Sequence, residues 1–101
     1  MGAKRHAWCE TQRIDQLLRK LVGAVVRVDQ SKCRRANDIR KLLLEKVKSE
    51  EAYLDDETIA NQFAFIILEK DKANIQCNEL NSSLTQSIKE TLHDFVSTRK
   101  P

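Results

Sequence analysis

The stretch Leu54-Asp55-Asp56-Glu57-Thr58-Ile59 contains the strongest helix-start signal in this chain of 101 residues. An aspartate that precedes a helix accepts a hydrogen bond from a free backbone N–H of the first turn. Acidic side chains in that turn also interact favourably with the positive end of the helix dipole. We therefore predict that Asp55 or Asp56 caps a helix and that the chain reverses direction just before it.

Apolar residues recur at helical spacing on both sides of this stretch. At 100° per residue, the first set shares one face of a helix from about residue 10 to about residue 54. This set consists of Ile14, Leu18, Leu21, Val25, Val28, Ala36, Ile39, Leu43, Val47 and Leu54. A second set predicts a helix from about residue 57 to about residue 97. It consists of Ile59, Phe63, Ile66, Ala73, Cys77, Leu80, Leu84, Ile88 and Phe95. The sequence therefore predicts an all-α fold, a long antiparallel hairpin of two helices.

The composition supports a helical chain with few interruptions. The sequence contains two glycines and one proline, and only Gly23 lies away from the termini. Sandwiches, barrels and doubly wound sheets need frequent turns, and those turns draw on glycine and proline. The scarcity of these residues excludes most β architectures and also excludes a glycine-rich phosphate-binding loop.

The hairpin has predicted boundaries and one weak point. Residues 1–9 are predicted to form a basic N-terminal arm, residues 10–97 a single helical domain and residues 98–101 a frayed tail. The apolar face is poorest between Asp29 and Asp38, where only a lysine falls on it. A break near residues 29–37 would give a three-helix bundle, which is the alternative fold.

Pairing the two predicted helices matches apolar segments with apolar segments. When paired residue numbers sum to about 112, Leu42–Leu44 lies beside Phe63–Leu68. The segment Leu17–Val28 then lies beside Leu84, Ile88, Leu92 and Phe95. Residues 1–50 carry 13 basic and 6 acidic residues, whereas residues 51–101 carry 5 and 9. This asymmetry favours contact between the two halves, although each exposed ion pair contributes only about 0.5 kcal/mol.

A two-helix hairpin leaves large apolar residues without cover. The predicted partner interface consists of Leu44, Phe63, Phe65, Ile66, Leu68 and Ile75. Exposed apolar patches of this kind mark interaction sites. We expect a homodimer that forms a four-helix bundle or coiled coil, or a hetero-complex with other helical subunits. The alternative is that a short third helix, or the N-terminal arm through Trp8, covers these residues.

These observations predict a non-enzymatic protein–protein interaction subunit, a scaffold or adaptor. A small regulator that docks on an enzyme through one helix would show the same pattern. Basic residues at intervals of seven predict a second function, nucleic-acid binding by a helical bundle. They are Arg13, Lys20, Arg27, Arg34, Lys41 and Lys48. Acidic residues interleave with this stripe, no aromatic residue offers a stacking platform, and the net charge is only +3.

The sequence contains no convincing catalytic or metal-binding pattern. His6-x-x-Cys9 supplies one ligand pair, whereas a structural zinc site needs four convergent ligands. The acidic residues 55–57 are better explained as a helix cap than as an acid/base pair. We therefore expect no enzyme activity, no cofactor and no small-molecule substrate. An odd number of cysteines and no long apolar run predict a cytoplasmic or nuclear protein without a membrane span.

Overall fold

The computed structural model describes residues 2–49, 55–69 and 78–99. Within these residues the chain forms α-helices and one short 3₁₀ turn, and no strand. The helices are α1 (Gly2–Val28), α2 (Cys33–Ser49), α3 (Asp56–Glu69) and α4 (Asn78–Arg99). The 3₁₀ turn, Gln30–Lys32, connects α1 to α2. The predicted all-α class is confirmed.

The predicted continuous helix over residues 10–54 is wrong, because α1 ends at Val28 and α2 begins at Cys33. Asp29 has extended backbone angles, φ −150° and ψ 100°, and its carboxylate accepts hydrogen bonds from Ser31 N at 3.1 Å and Ser31 Oγ at 2.7 Å. The side chain thus provides an acceptor for the Ser31 N–H, which a continuous helix would pair with a backbone carbonyl. The chain then doubles back, so that α2 packs antiparallel to α1. The break falls within the range 29–37 of the alternative prediction.

The predicted helix over residues 57–97 is also not continuous. α3 ends at Glu69, α4 begins at Asn78, and the two helices pack against each other, which two halves of a straight helix cannot do. The described part of the chain therefore has four helices, neither the two of the hairpin nor the three of the alternative. The helix bounds also differ from those predicted: α1 begins at Gly2 and α4 runs to Arg99. The division into arm, domain and tail remains a prediction.

The four helices bury one shared core. α1 packs against each of the other three helices, and α3 also packs against α2 and α4. The fully buried large side chains are Ile14, Leu17, Leu18, Leu21, Val25, Ile59, Phe63, Ile67 and Leu84. Burial of these side chains stabilises the fold by about 25 cal/mol for each Å² of apolar surface removed from water.

Both predicted pairings between segments occur, although the long hairpin does not. The Ser87 hydroxyl on α4 donates to the Ala24 carbonyl on α1 at 3.1 Å. Leu42 and Leu43 of α2 line the same groove as Phe65 and Ile66 of α3. Each of the two predicted helices is divided into two shorter ones, and the resulting four helices pack together. One chain therefore covers apolar faces that the prediction assigned to a dimer.

The start of α3 confirms the predicted cap, whereas the residues just before it, where a chain reversal was predicted, lie outside the described ranges. Asp55 precedes the helix and its carboxylate accepts a hydrogen bond from Thr58 N at 2.8 Å, while Ile59 N donates to the Asp55 carbonyl at 3.1 Å. Hydrogen bonds from the Thr58 side chain and backbone lower the pKa of Asp55 below its usual value. The ionised carboxylate is therefore the capping form, and its contribution to stability is lost as the pH falls through that lowered pKa.

Candidate partner-binding groove

An apolar groove lies between α2 and α3. Leu42 is 59% exposed and Phe65 is 57% exposed, and they are the exposed large hydrophobic residues among the side chains that the structure describes. Both line this groove, which has a volume of about 610 Å³. Its complete lining consists of Leu42, Leu43, Lys46, Thr58, Asn61, Gln62, Phe65 and Ile66.

Helix geometry explains why these two residues remain exposed. Phe63 and Ile67 lie one turn apart and face the core, where both are fully buried. Phe65 lies midway between them in sequence, about 200° around the helix from Phe63, and therefore points outward. Leu42 precedes the buried Leu43 by 100° and lies at the edge of the core-facing side of α2. Apolar runs on α2 and α3 thus extend beyond the area that the core covers.

The groove has an apolar floor and a polar rim. Thr58, Asn61 and Gln62 supply hydrogen-bonding groups from α3, and Lys46 supplies the single charged side chain of the lining. Across the same helix pair, the Arg35 guanidinium donates to the Ile66 carbonyl at 3.4 Å. This bond links α2 to α3 beside the groove. Such grooves bind the apolar face of an amphipathic helix.

The structure separates the five residues of the predicted partner interface that it describes. Phe65 is exposed, whereas Phe63 is fully buried in the core of its own chain and is removed from the candidate surface. Leu44, Ile66 and Leu68 are partly buried against the core. Ile75 lies outside the described residues. Leu42 was not part of the predicted interface, although it belongs to the run Leu42–Leu44 and three consecutive helical residues do not share one buried face.

The predicted basic stripe is not continuous. α1 and α2 run in opposite directions, so spacing by seven across the break does not produce a line of charge. Arg13 on α1 is engaged in an ion pair with Asp56, and both side chains are about nine-tenths buried. The other basic residues of the stripe are exposed: Lys20 and Arg27 on α1, and Arg34, Lys41 and Lys48 on α2.

A second groove, of about 440 Å³, lies between α1 and α4 and surrounds Gly23. Lys20, Arg27 and Asp94 contribute charged groups of both signs to its lining. Gly23 is exposed, and a Cβ placed on it would have no heavy atom within 4 Å. The packing of the described chain therefore does not require a glycine at this position.

Replacing Gly23 by alanine is expected to raise the free energy of unfolding by about 0.5–1 kcal/mol, since alanine has the higher helix propensity and meets no steric obstacle. Urea unfolding followed by circular dichroism measures this change. The adjacent variant Ala24→Gly is the control and should lower the free energy of unfolding, because Ala24 is fully buried in the same helix. A loss of stability in Gly23→Ala would contradict the open space around Gly23.

Other chemistry is not assembled in the described residues. No group of three or more His, Cys, Asp or Glu side chains is placed there to hold a metal ion. Cys33 is exposed at the start of α2. None of the helices in the described ranges is long and apolar enough to cross a membrane. Comparisons with protein-family models, curated proteins and solved structures found no match to this chain.

Proposed function

We propose that this chain is a non-enzymatic interaction subunit that binds an amphipathic helix of a protein partner in the α2–α3 groove. The observation that carries this proposal is the exposure of Leu42 and Phe65 on one groove. Large apolar side chains left in water at adjacent positions are typical of interaction sites. The partner is a second copy of the chain or another helical subunit. The odd number of cysteines supports a reducing compartment, the cytoplasm or the nucleus.

The groove supports specific binding of moderate strength. Full burial of a Leu or Phe side chain contributes about 1.5–3 kcal/mol, so covering the exposed parts of Leu42 and Phe65 contributes roughly 2–4 kcal/mol in total. Association also costs translational and rotational entropy. Contacts with Ile66 and hydrogen bonds with Asn61 and Gln62 must therefore contribute binding free energy in addition to the burial of Leu42 and Phe65. Their fixed positions on α3 select a partner helix with matching polar groups.

The double substitution Leu42→Glu/Phe65→Glu tests the groove. Both side chains are exposed, so the variant should keep its helical content while losing its partner. The control Gln12→Glu/Ser82→Glu adds the same charge at exposed positions of α1 and α4 and should keep the partner. Quantitative affinity capture from native extract detects a heterologous partner, and light scattering detects a second copy. Equal capture and equal mass for all three proteins would contradict the proposal.

Nucleic-acid binding is the second candidate, and the exposure of five basic residues on α1 and α2 supports it. Its weakness is that Arg13 pairs with Asp56. Titration with duplex DNA at two salt concentrations distinguishes the candidates, because phosphate contacts give an affinity that falls steeply with salt. Reversing the charges of Arg27, Arg34 and Lys41 should abolish such binding and leave helix docking unchanged.

A further inference from the structure

The junction between α1 and α2 depends on the conformation of one residue. Asp29 is extended, but Gln30–Lys32 already form a 3₁₀ turn and Cys33 has helical angles, φ −56° and ψ −51°. Asp29 N still donates to the Val25 carbonyl at 2.9 Å, as it would in a continuous helix. No residue from Asp29 to Lys32 is glycine or proline. Rotation of Asp29 into the helical region is therefore enough to join α1 and α2 into one helix.

The buried faces of α1 and α2 are aligned for such a helix. At 100° per residue, Leu18 and Ala36 point in the same direction, and so do Val25 and Leu43. All four are buried in the folded chain. A joined helix from residue 2 to residue 49 would be about 70 Å long and would present both buried faces to one side. In this joined helix, α1 extends away from the core of its own chain. Its apolar face is then exposed and can pack against a second copy.

We infer that two copies of this chain dimerise by exchanging α1. Asp29 becomes helical in each copy, and each α1 packs on α2, α3 and α4 of the other copy. Contacts that now lie within one chain, including Ser87 to Ala24 and Arg13 to Asp56, re-form between the copies. Exchange of identical elements keeps the core contacts and changes only the hinge, which makes it a low-cost route to a dimer. This interface does not use the α2–α3 groove and goes beyond the proposed function.

The hinge offers a pair of substitutions with opposite effects. Asp29→Ala removes the hydrogen bonds to Ser31 that hold the bend and favours helix at the hinge. Because each dimer opens two hinges, we expect a rise of about 30-fold in the dimerisation constant. Gln30→Pro has the opposite effect. Proline fits the first position of the turn and favours the extended conformation that Asp29 already has, whereas it interrupts a continuous helix.

Light scattering over a range of concentrations, after annealing each protein by unfolding and refolding, measures the result. Gln30→Pro should lower the dimerisation constant by at least about 100-fold relative to wild type. The wild-type dimer should also dissociate slowly on dilution, since α1 must leave a packed core before it exchanges. If Gln30→Pro fails to fold, an insertion of Gly-Gly after Asp29 provides the second test. It favours the bend between α1 and α2 over a continuous helix, and it should likewise lower the dimer fraction.

The groove variant Leu42→Glu/Phe65→Glu separates this inference from the proposed function. A dimer formed by exchange persists in that variant and disappears in Gln30→Pro, whereas a dimer formed through the groove shows the reverse pattern. Equal dimer fractions in wild type, Asp29→Ala and Gln30→Pro would overturn the exchange of α1. It would also be overturned if both wild type and Asp29→Ala were monomeric at every concentration.

Discussion

Replacing Arg13 by alanine is expected to lower the free energy of unfolding by about 3–5 kcal/mol, because it removes the cation that pairs with the buried Asp56 carboxylate. The pair joins α1 to the first turn of α3, and the two side chains are 11% and 9% exposed. A buried charge that loses its partner retains the full cost of its removal from water. Urea unfolding followed by circular dichroism measures the loss.

The chain contains a matched control for this substitution. Arg19 also forms an ion pair on α1, with Asp15 at 3.0 Å, but the Arg19 side chain is 66% exposed. Arg19→Ala should therefore change the free energy of unfolding by less than about 1 kcal/mol. The double variant Arg13→Leu/Asp56→Leu should recover part of the stability lost in Arg13→Ala, because no buried charge remains. Similar losses for Arg13→Ala and Arg19→Ala would contradict the burial of the first pair.

The sequence predicted the helical class and the segments that contact each other, and local physics explains why. Apolar spacing reports which face of a helix is buried, and it places Val25 and Leu43 correctly in the core. The cap at Asp55 was predictable because a capping side chain acts on backbone groups only three residues away. Contacts between residues so close in sequence can be predicted from a short stretch of the chain.

The break at Asp29 could not be decided from the sequence. An aspartate costs only a few tenths of a kcal/mol within a helix, so its presence does not determine whether the helix continues. Whether the helix breaks depends on how its apolar faces are buried, and that depends on the whole core. The same faces would be buried in a straight helix that meets a second chain. Spacing alone therefore did not distinguish the folded chain from the predicted hairpin dimer.

The candidate site was predicted only in part, for a similar reason. Arg13 fits a seven-residue repeat of basic residues, but its partner Asp56 is 43 positions away. No pattern within one helix indicates such a pairing. Within α3, every residue from 63 to 68 is apolar, so the sequence does not show which side faces the core. The neighbouring helices decide that, and they leave Phe65 outside.

Replacing Phe63 and Phe65 separately by alanine should produce clearly different losses of stability. Phe63 is fully buried, so Phe63→Ala leaves a cavity and is expected to cost about 3–5 kcal/mol. Phe65 is 57% exposed, and Phe65→Ala is expected to cost less than about 1 kcal/mol. For a chain of this size, 1 kcal/mol shifts the melting temperature by about 4–8 °C. Thermal unfolding followed by circular dichroism therefore resolves the two variants easily.

Partner binding should rank the same two variants in the opposite order, provided that it is measured well below the melting temperature of Phe63→Ala. The ring of Phe65 is more than half exposed, so its removal should weaken helix docking while leaving the fold intact. Phe63→Leu, which preserves most of the buried volume, should bind the partner as wild type does. Equal destabilisation by Phe63→Ala and Phe65→Ala would show that both rings are buried, and the α2–α3 groove would then lack its principal anchor.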